Sequence, residues 1–257
     1  MRVFLPILLL LAACSEPPRV QGTVRDVFGK PIPGATVLSD QEYVRATTDA
    51  RGRFLMELPR SGPVRLMAGA QGYIKDVLSV EVPADGDPPS AEFRLWVLPE
   101  AYGFFGQGHG SLVRLEAARV EAVGSDFREI HGVRELTHNP LPASRAPTQF
   151  LFHSSRSEAE LRQMEIRLHR LRYLERTTLP GPLGDQEIAT GFWVPDRDVP
   201  FTLQGLQADD VFRVVTEGPL EKGSYAFEFQ GVLCDTEPGS LARYPSEMQV
   251  VYPFEVK

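Results

Sequence analysis

The chain is poor in cysteine, lysine and asparagine. Among its 257 residues it has two cysteines, Cys14 and Cys234, which excludes a framework of several disulfides. Lysine occurs four times, asparagine occurs once, and the formal net charge is −7. Because binding to phosphate requires clustered positive charge, this balance argues against a nucleic acid partner.

The sequence also lacks the short motifs that mark common hydrolases and nucleotide-binding proteins. It contains no His-Glu-x-x-His, Gly-x-Ser-x-Gly, Walker or Cys-x-x-Cys pattern. A zinc pair of the type His-x-x-Glu is missing too, since Glu135 follows His131 by one residue too many. The five histidines are His109, His131, His138, His153 and His169. We therefore expect no catalytic residue, no metal site and no cofactor.

The first fourteen residues have the pattern of an export signal. A short basic start precedes the apolar stretch 3–11, which is too short to span a bilayer as a mature helix. The segment Leu11-Ala12-Ala13-Cys14 resembles a bacterial lipobox. The resemblance implies that residues 1–13 are a lipoprotein signal peptide and that Cys14 is lipidated. The alternative is an ordinary signal peptide followed by a chance cysteine.

A lipidated Cys14 implies attachment to a membrane, because several acyl chains give stable anchoring where one does not. Ser15 rather than Asp follows the cysteine, and by analogy with enterobacterial lipoproteins this favours the outer membrane. Residues 14–19, which include Pro17 and Pro18, are predicted to be a short, stiff tether. We therefore expect a lipid-anchored protein of the bacterial cell envelope, whose acyl chains hold it to the membrane.

Turn signals separate short β-type runs between Gly22 and Phe54. Asp26-Val27-Phe28-Gly29 has the favoured ends of a type I turn, and Thr48-Asp49-Ala50-Arg51-Gly52 predicts a second tight turn. Pro31-Ile32-Pro33-Gly34 lies between them and cannot belong to a central strand, because its prolines lack an N–H donor. Short strands joined by such turns are typical of an antiparallel sandwich.

Three spaced motifs follow one another in this stretch. They are Gly22-x-Val24, Asp26-x-x-Gly29-x-Pro31-Ile32-Pro33-Gly34-Ala35-x-Val37 and Thr48-Asp49-x-x-Gly52-x-Phe54. Together they resemble the carboxypeptidase regulatory-like domain, a transthyretin-like β-sandwich, over about residues 19–98. The resemblance implies an accessory or binding unit, since this module is usually non-catalytic and is appended to peptidases, outer-membrane receptors and surface proteins.

Residues 100–257 are predicted to form a second β-rich domain. The Gly-rich segment 106–111 lies between two β-type runs and indicates a hairpin, whereas a phosphate-binding loop leads into a helix. Residues 157–175 are ambiguous, because a capping box at 157–160 predicts a helix while Met164, Ile166 and Leu168 alternate as in a strand. We favour a short helical turn and then a strand hairpin through about Thr178. A final strand is expected at 248–254, interrupted by Pro253.

Three further features of this domain have both a plain and a functional interpretation. Cys234 ends the apolar, strand-like run 230–234, which favours a buried inert thiol over a nucleophile. The arginines of 156–176 alternate with glutamates and are predicted to form a charge-paired solvated face; the alternative is a contact for anionic lipid headgroups or polysaccharide. The carboxylate pairs, interpreted as solvated turn residues, are Asp196/Asp198 and Asp209/Asp210.

The predicted fold class is all-β, with two consecutive β-sandwich domains at 20–99 and 100–257, the first of them transthyretin-like and carboxypeptidase-regulatory-like. We predict a non-enzymatic binding or structural module that binds a protein or a glycan of the envelope. The alternative is a hydrolase or metal-dependent enzyme, which convergence of His109, His131 and His138 with a carboxylate would favour. A third interpretation, a subunit of an envelope complex, would be favoured by an exposed apolar patch.

Overall fold

The computed structural model describes residues 16–136, 140–208 and 210–257. The predicted signal peptide and the predicted lipidation site Cys14 lie outside the described residues, as do His138 and Asp209. The chain divides after Trp96 into two compact units, which we call unit 1 and unit 2. Each unit has a hydrophobic core of its own.

The described part of unit 1 consists of short strands joined by turns. Its strands are β1 (Arg19–Asp26), β2 (Thr36–Ser39), β3 (Arg45–Thr47), β4 (Arg53–Glu57), β5 (Gly62–Gly69), β6 (Asp76–Val82) and β7 (Ser90–Leu95).

Two sheets enclose the core of unit 1. One sheet has the order β3-β2-β5-β6, and the other has the order β4-β1-β7. Strands β1 and β7 run parallel, whereas the remaining pairs are antiparallel. Val37 and Leu66 from the first sheet share one buried cluster with Val24 and Phe93 from the second. Unit 1 is thus a β-sandwich, as the sequence predicts.

The predicted turns of unit 1 are held by aspartate side chains. Asp26 Oδ1 accepts hydrogen bonds from the N–H groups of Phe28 (2.9 Å) and Lys30 (2.8 Å). Asp49 Oδ1 does the same for Arg51 (2.8 Å) and Arg53 (2.9 Å). These side chains satisfy donors that the tight turns leave without strand partners, which confirms both predicted turns.

Unit 2 is also built mainly from strands in its described residues. These residues include one α-helix, α1 (Glu158–Gln163), and a 3-10 helix at Leu241–Arg243. Its strands are β8 (Gly103–Gln107), β9 (Leu112–Arg114), β10 (Ala118–Arg119), β11 (Glu121–Gly124), β12 (Glu129–Gly132), β13 (Pro140–Leu141), β14 (Gln149–His153), β15 (Arg167–Leu179), β16 (Gln186–Asp198), β17 (Phe201–Gly205), β18 (Val211–Thr216), β19 (Gly223–Glu228) and β20 (Val250–Val256).

Unit 2 is a second sandwich with an aromatic core. One sheet has the order β17-β18-β14-β8-β9, and the other has the order β10-β20-β19-β15-β16 with β13 beside β20. Phe104 of the first sheet stacks on Phe152 at 4.2 Å between ring centroids and on Phe227 of the second sheet at 4.3 Å. Offset aromatic contacts of this kind add to the stability that burial provides. The predicted fold class of two β-sandwiches is confirmed.

The ambiguous segment 157–175 forms a short helix, as the capping box predicts, and then one continuous strand instead of the hairpin that we predicted to end near Thr178. The Ser157 side chain caps the helix α1, and the Glu160 side chain accepts a bond from the Ser157 N–H at 2.7 Å. Strand β15 follows and pairs with β16 in a long antiparallel hairpin. Glu165 has a positive φ of 45°, which marks the change from one element to the other.

Two details of the predicted strands are corrected. Pro253 does not interrupt the last strand, because β20 continues to Val256. Strand β10 pairs with β20 at Val250 and Val251, and β13 pairs with it at Glu255 and Val256, so Pro253 lies between two neighbouring strands. A proline is tolerated where strand pairing changes partner. The second detail is the short strand β13, which lies in a stretch where Pro140, Pro142 and Pro147 would favour a loop.

Candidate functional site

The histidines proposed for the enzymatic alternative occupy different parts of unit 2. His109 is exposed in the turn between β8 and β9, and His138 lies outside the described residues. His131 is buried in β12, where Nε2 lies 3.1 Å from Glu129 Oε2 and Nδ1 donates to the Val232 carbonyl at 2.6 Å. These contacts do not include His109, so the predicted constellation is not formed by the described residues.

The structure brings together three other side chains. His169 Nε2 donates to Glu228 Oε1 at 2.6 Å, and both side chains are fully buried. Cys234 Sγ lies 3.8 Å from His169 Nε2 and 3.8 Å from Glu228 Oε1. Each of these three side chains offers one atom that could bind a metal ion, and the three atoms all lie within 4.8 Å of one another.

Strand register explains why His169 and Glu228 meet. His169 in β15 is paired with Ala226 in β19, and Glu228 lies two residues beyond Ala226. Residues two apart on a strand share a face, so His169 and Glu228 form a diagonal cross-strand pair on the same side of the sheet. Because both side chains are removed from water, this ion pair offsets part of the cost of burying them.

A tight turn carries Cys234 to this pair. Gln230 and Gly231 both have positive φ, 56° and 70°, and the Cys234 N–H bonds to the Gly231 carbonyl at 2.9 Å. Glu228 Oε2 accepts a bond from the Leu233 N–H at 2.6 Å, which fixes the turn over the carboxylate. The prediction of a buried thiol in a strand is therefore wrong: Cys234 is exposed and lies in a turn.

The second ring nitrogen of His169 faces another carboxylate. His169 is paired with Asp198 across the β15–β16 ladder, and its Nδ1 lies 2.8 Å from Asp198 Oδ1. The two groups are within ion-pair distance, but their angles do not make a hydrogen bond, so Nδ1 is buried without a hydrogen-bond partner among the described residues. Asp198 is thus more than the solvated turn residue that the sequence suggests, although its side chain is 81% exposed.

The surroundings of His169 change its acidity. Burial acts to lower the pKa of the imidazole, but hydrogen bonds and charge from Cys234 and Glu228 outweigh it and raise the pKa to about 10. The ring is therefore an imidazolium at neutral pH. Because its Nε2–H points to Glu228, it is not placed to take a proton from the Cys234 thiol, as a catalytic cysteine–histidine pair requires.

Two cavities lie beside this cluster, one of them lined by Cys234 and the other by Asp198. One of about 360 Å³ is lined by Cys234 together with Arg128, Arg172 and His131. The other, of about 500 Å³, is lined by Asp198 and by apolar side chains of α1 and β17. The thiol of Cys234 is therefore accessible, whereas His169 and Glu228 are reached only through their partners.

Five of the six arginines in residues 156–176 are paired with carboxylates, which agrees with the plain interpretation. Exposed pairs of this kind add little to stability individually, and they leave a surface of mixed charge. The pairs are Arg162–Glu158 (2.6 Å), Arg167–Glu165 (3.1 Å), Arg170–Glu221 (2.5 Å), Arg172–Asp196 (3.9 Å) and Arg176–Glu187 (3.5 Å).

Comparison with known families identifies a domain in unit 1. A family model of the carboxypeptidase regulatory-like domain matches residues 19–95, which are the strands β1 to β7. Unit 1 contains a carboxypeptidase regulatory-like domain. The match ends at residue 95, within unit 1, so it assigns no function to the cluster around His169 in unit 2.

Solved structures resemble the chain only distantly. The TIE protein of Bacillus anthracis aligns with 93% of this chain and 31% of its own, at 12% identity and a TM-score of 0.28. BcpA, the major pilin subunit of Bacillus cereus, aligns with 93% of this chain and 67% of its own, at 10% identity and a TM-score of 0.26. The chain thus spans about a third of the TIE protein. Such low TM-scores carry no argument about function, and no curated protein matches the chain.

No helix in the described ranges has the length and the apolar composition that are needed to cross a membrane.

Proposed function

We propose that the protein is a lipid-anchored, non-catalytic module of the bacterial cell envelope that binds an envelope protein or glycan or acts as a structural spacer. The observation that carries this proposal is the carboxypeptidase regulatory-like domain, whose first strand begins at Arg19, five residues after Cys14. A domain so close to an acylated residue stays near the membrane. The second sandwich adds further loops, where binding residues commonly lie.

Contacts of the tether support the proposed arrangement. The Pro18 carbonyl accepts a hydrogen bond from the Leu58 N–H at 2.8 Å, and Arg19 pairs with Glu16 at 3.1 Å. The described end of the tether is therefore fixed to unit 1. Few residues remain between Cys14 and this fixed point, so we propose that unit 1 lies next to the membrane surface.

The anchor is tested by fatty-acid labelling in a bacterial host. Cells that express the full chain are grown with a labelled fatty acid, and their membranes are separated by density. We expect the wild type to incorporate the label and to fractionate with the outer membrane. The Cys14→Ala variant is expected to lose the label and to leave the membrane fraction, because the thiol that carries the acyl chains is gone.

The chain offers a matched control for this experiment. Cys234→Ala removes the other cysteine and leaves Cys14 in place, so this variant is expected to keep both the label and the membrane position. Retention of Cys14→Ala in the membrane fraction would refute the acyl anchor. Labelled protein in the inner membrane fraction would keep the anchor and overturn the outer-membrane assignment.

A further inference from the structure

We propose that His169, Glu228 and Cys234 form a binding site for Zn²⁺ in unit 2. The ligand atoms would be His169 Nε2, Glu228 Oε1 and Cys234 Sγ, with a water molecule as the fourth ligand. Asp198 would be a positioning residue behind His169. The inference concerns unit 2 alone and does not depend on the acyl anchor.

The types of donor select the metal. An imidazole nitrogen, a thiolate and a carboxylate are all zinc ligands, and three protein ligands with a water in the fourth position are the arrangement found in catalytic zinc sites. Magnesium and calcium prefer sites made of oxygen, so a thiolate and an imidazole disfavour them. Thiolate and carboxylate together carry two negative charges, which balance the charge of Zn²⁺.

The distances are close to those of a tetrahedral zinc site. Zn–N and Zn–S bonds of about 2.0 and 2.3 Å place nitrogen and sulfur about 3.5 Å apart. Cys234 Sγ lies 3.8 Å from both His169 Nε2 and Glu228 Oε1, which is near this value. The nitrogen and the carboxylate oxygen lie 2.6 Å apart and would have to separate by about 0.7 Å.

Replacement of a proton by the metal ion would account for the larger distance between nitrogen and oxygen. The Nε2–H proton now joins His169 to Glu228, and Zn²⁺ would take its place between the same two atoms. The Nε2 proton and the Cys234 S–H proton would both leave to solvent, so that the neutral imidazole and the thiolate bind the ion. Glu228 keeps its bond from the Leu233 N–H through its other oxygen, which holds the carboxylate in place.

The second nitrogen of His169 supports the assignment. Histidines that bind zinc usually present their other nitrogen to a carboxylate, which orients the ring. Nδ1 lies 2.8 Å from Asp198 Oδ1 and is buried without a hydrogen-bond partner in the described part of the chain. A small rotation of the exposed Asp198 side chain completes that bond. A simple buried ion pair between His169 and Glu228 would explain neither why Asp198 faces the second ring nitrogen nor why a thiol lies beside the pair.

Access to the site is provided by Cys234. Its side chain is exposed and lines the cavity of about 360 Å³, so an ion can reach the sulfur from solvent. The two buried ligands follow behind the sulfur. An ion can therefore bind the exposed sulfur first and then reach the two donors that have no contact with water.

The test uses Co²⁺, which binds as zinc does and absorbs light. The full chain is prepared as the Cys14→Ala variant, so that Cys234 is its single thiol, and is stripped of metal with a chelator. We expect one equivalent of Co²⁺ to produce a thiolate-to-cobalt charge-transfer band and one equivalent of Zn²⁺ to abolish it. Saturating Zn²⁺ should also slow alkylation of Cys234 by iodoacetamide at least tenfold, since the thiolate is then coordinated.

Three substitutions distinguish a metal ligand from a positioning residue and from an uninvolved residue of the same cavity. Cys234→Ala should abolish the charge-transfer band, and because Cys234 is exposed this variant retains its core. Asp198→Asn should keep the band while weakening affinity by about 10- to 100-fold, as expected for a positioning residue. Thr236→Ala, which alters another exposed residue of the same cavity, should change neither.

Two results would overturn the proposal. One is a Co²⁺ titration without a charge-transfer band in the folded protein. The other is Zn²⁺ binding of equal affinity in the Cys234→Ala variant and its parent. In both cases the cluster would be a buried ion pair beside an accessible thiol. Neither result would bear on lipidation, because every variant in this experiment lacks Cys14.

Discussion

At the scale of single residues, Thr48 gives a physical reason for one of the motifs. Its side chain is buried, donates to the Ile32 carbonyl at 2.7 Å and accepts from the Ala35 N–H at 2.9 Å. One hydroxyl group thus ties the Pro-Gly turn to the hairpin that begins at Asp49. Neither a valine nor an alanine could satisfy both backbone groups.

Replacement of Thr48 tests this role. Thr48→Val keeps the volume but leaves a buried carbonyl and a buried N–H without partners, so the free energy of unfolding should fall by about 1–3 kcal/mol. The neighbouring Thr47 is exposed, and Thr47→Val should stay within about 0.5 kcal/mol of the wild type. Urea unfolding followed by Trp96 fluorescence in a Trp193→Phe background measures both. Equal midpoints would show that the hydroxyl of Thr48 is dispensable.

At the scale of elements, the turn from Phe229 to Cys234 is fixed by two buried side chains. Glu228 accepts from the Leu233 N–H, and His131 donates to the Val232 carbonyl. The two bonds reach adjacent residues of a turn whose backbone has two consecutive positive φ values. Such a backbone persists when its surroundings hold it.

Neutralising Glu228 should loosen this turn. In metal-free protein, Glu228→Gln removes the buried counter-ion of His169 and leaves only the exposed Asp198 carboxylate beside the ring. Removal of one partner of a buried pair costs about 3–5 kcal/mol. Glu221→Gln is the control, because Glu221 is exposed and pairs with Arg170 and Arg197 on the surface, so its effect should be small. The two are compared by urea unfolding with Trp193 fluorescence. If Glu228→Gln lowers the free energy of unfolding no more than Glu221→Gln does, then Glu228 does not fix this turn.

Elements with strong local signals were predictable, and this turn was not. The helix at 158–163 was indicated by its capping box, and the turns of unit 1 by Asp, Pro and Gly at fixed spacing. In 230–234 the only turn former is Gly231, while Val232 and Leu233 are apolar. The side chains of Val232 and Leu233 are buried in a smaller hydrophobic cluster of unit 2. The apolar character of this run therefore comes from packing of a turn and does not indicate a strand.

The cluster around His169 was beyond prediction for a different reason. His169 is separated from Glu228 by 59 residues and from Cys234 by 65. No short motif can join residues at such spacing, because their proximity depends on the register of β15 with β19. The predicted hairpin ended near Thr178 and therefore did not pair β15 with β16, and the neighbour on the other side of β15 follows only from the sheet order.

At the scale of the whole molecule, the two units have separate cores and one tryptophan each. Trp96 belongs to unit 1 and Trp193 to unit 2. A substitution that damages one core should therefore move the unfolding transition that its own tryptophan reports. Gly22 in β1 offers such a change, since a Cβ there would lie 1.9 Å from the Ala91 carbonyl oxygen and 2.8 Å from the Phe54 ring.

We expect Gly22→Ala to lower the free energy of unfolding of unit 1 by about 1–3 kcal/mol, because the backbone and the ring must shift. The transition reported by Trp193 should keep its midpoint. Gly69→Ala is the control, as its Cβ would meet only the side chain of Lys75, at 3.3 Å. Urea titrations of the two single-tryptophan backgrounds, Trp96→Phe and Trp193→Phe, provide the measurement. A parallel shift of both midpoints would refute independent cores.

The position of β20 determines the order in which the two units can be completed during synthesis. Unit 1 has all its strands once Leu95 has been made, whereas β20 lies between β10 and β19 in the sheet of unit 2. Until residues 250–256 emerge, β19 therefore has an open edge, which can pair with other chains. Domains generally fold as units, starting from the N-terminus. Until residues 250–256 have been made, the chain thus holds every described strand of the first sandwich but lacks a central strand of the second.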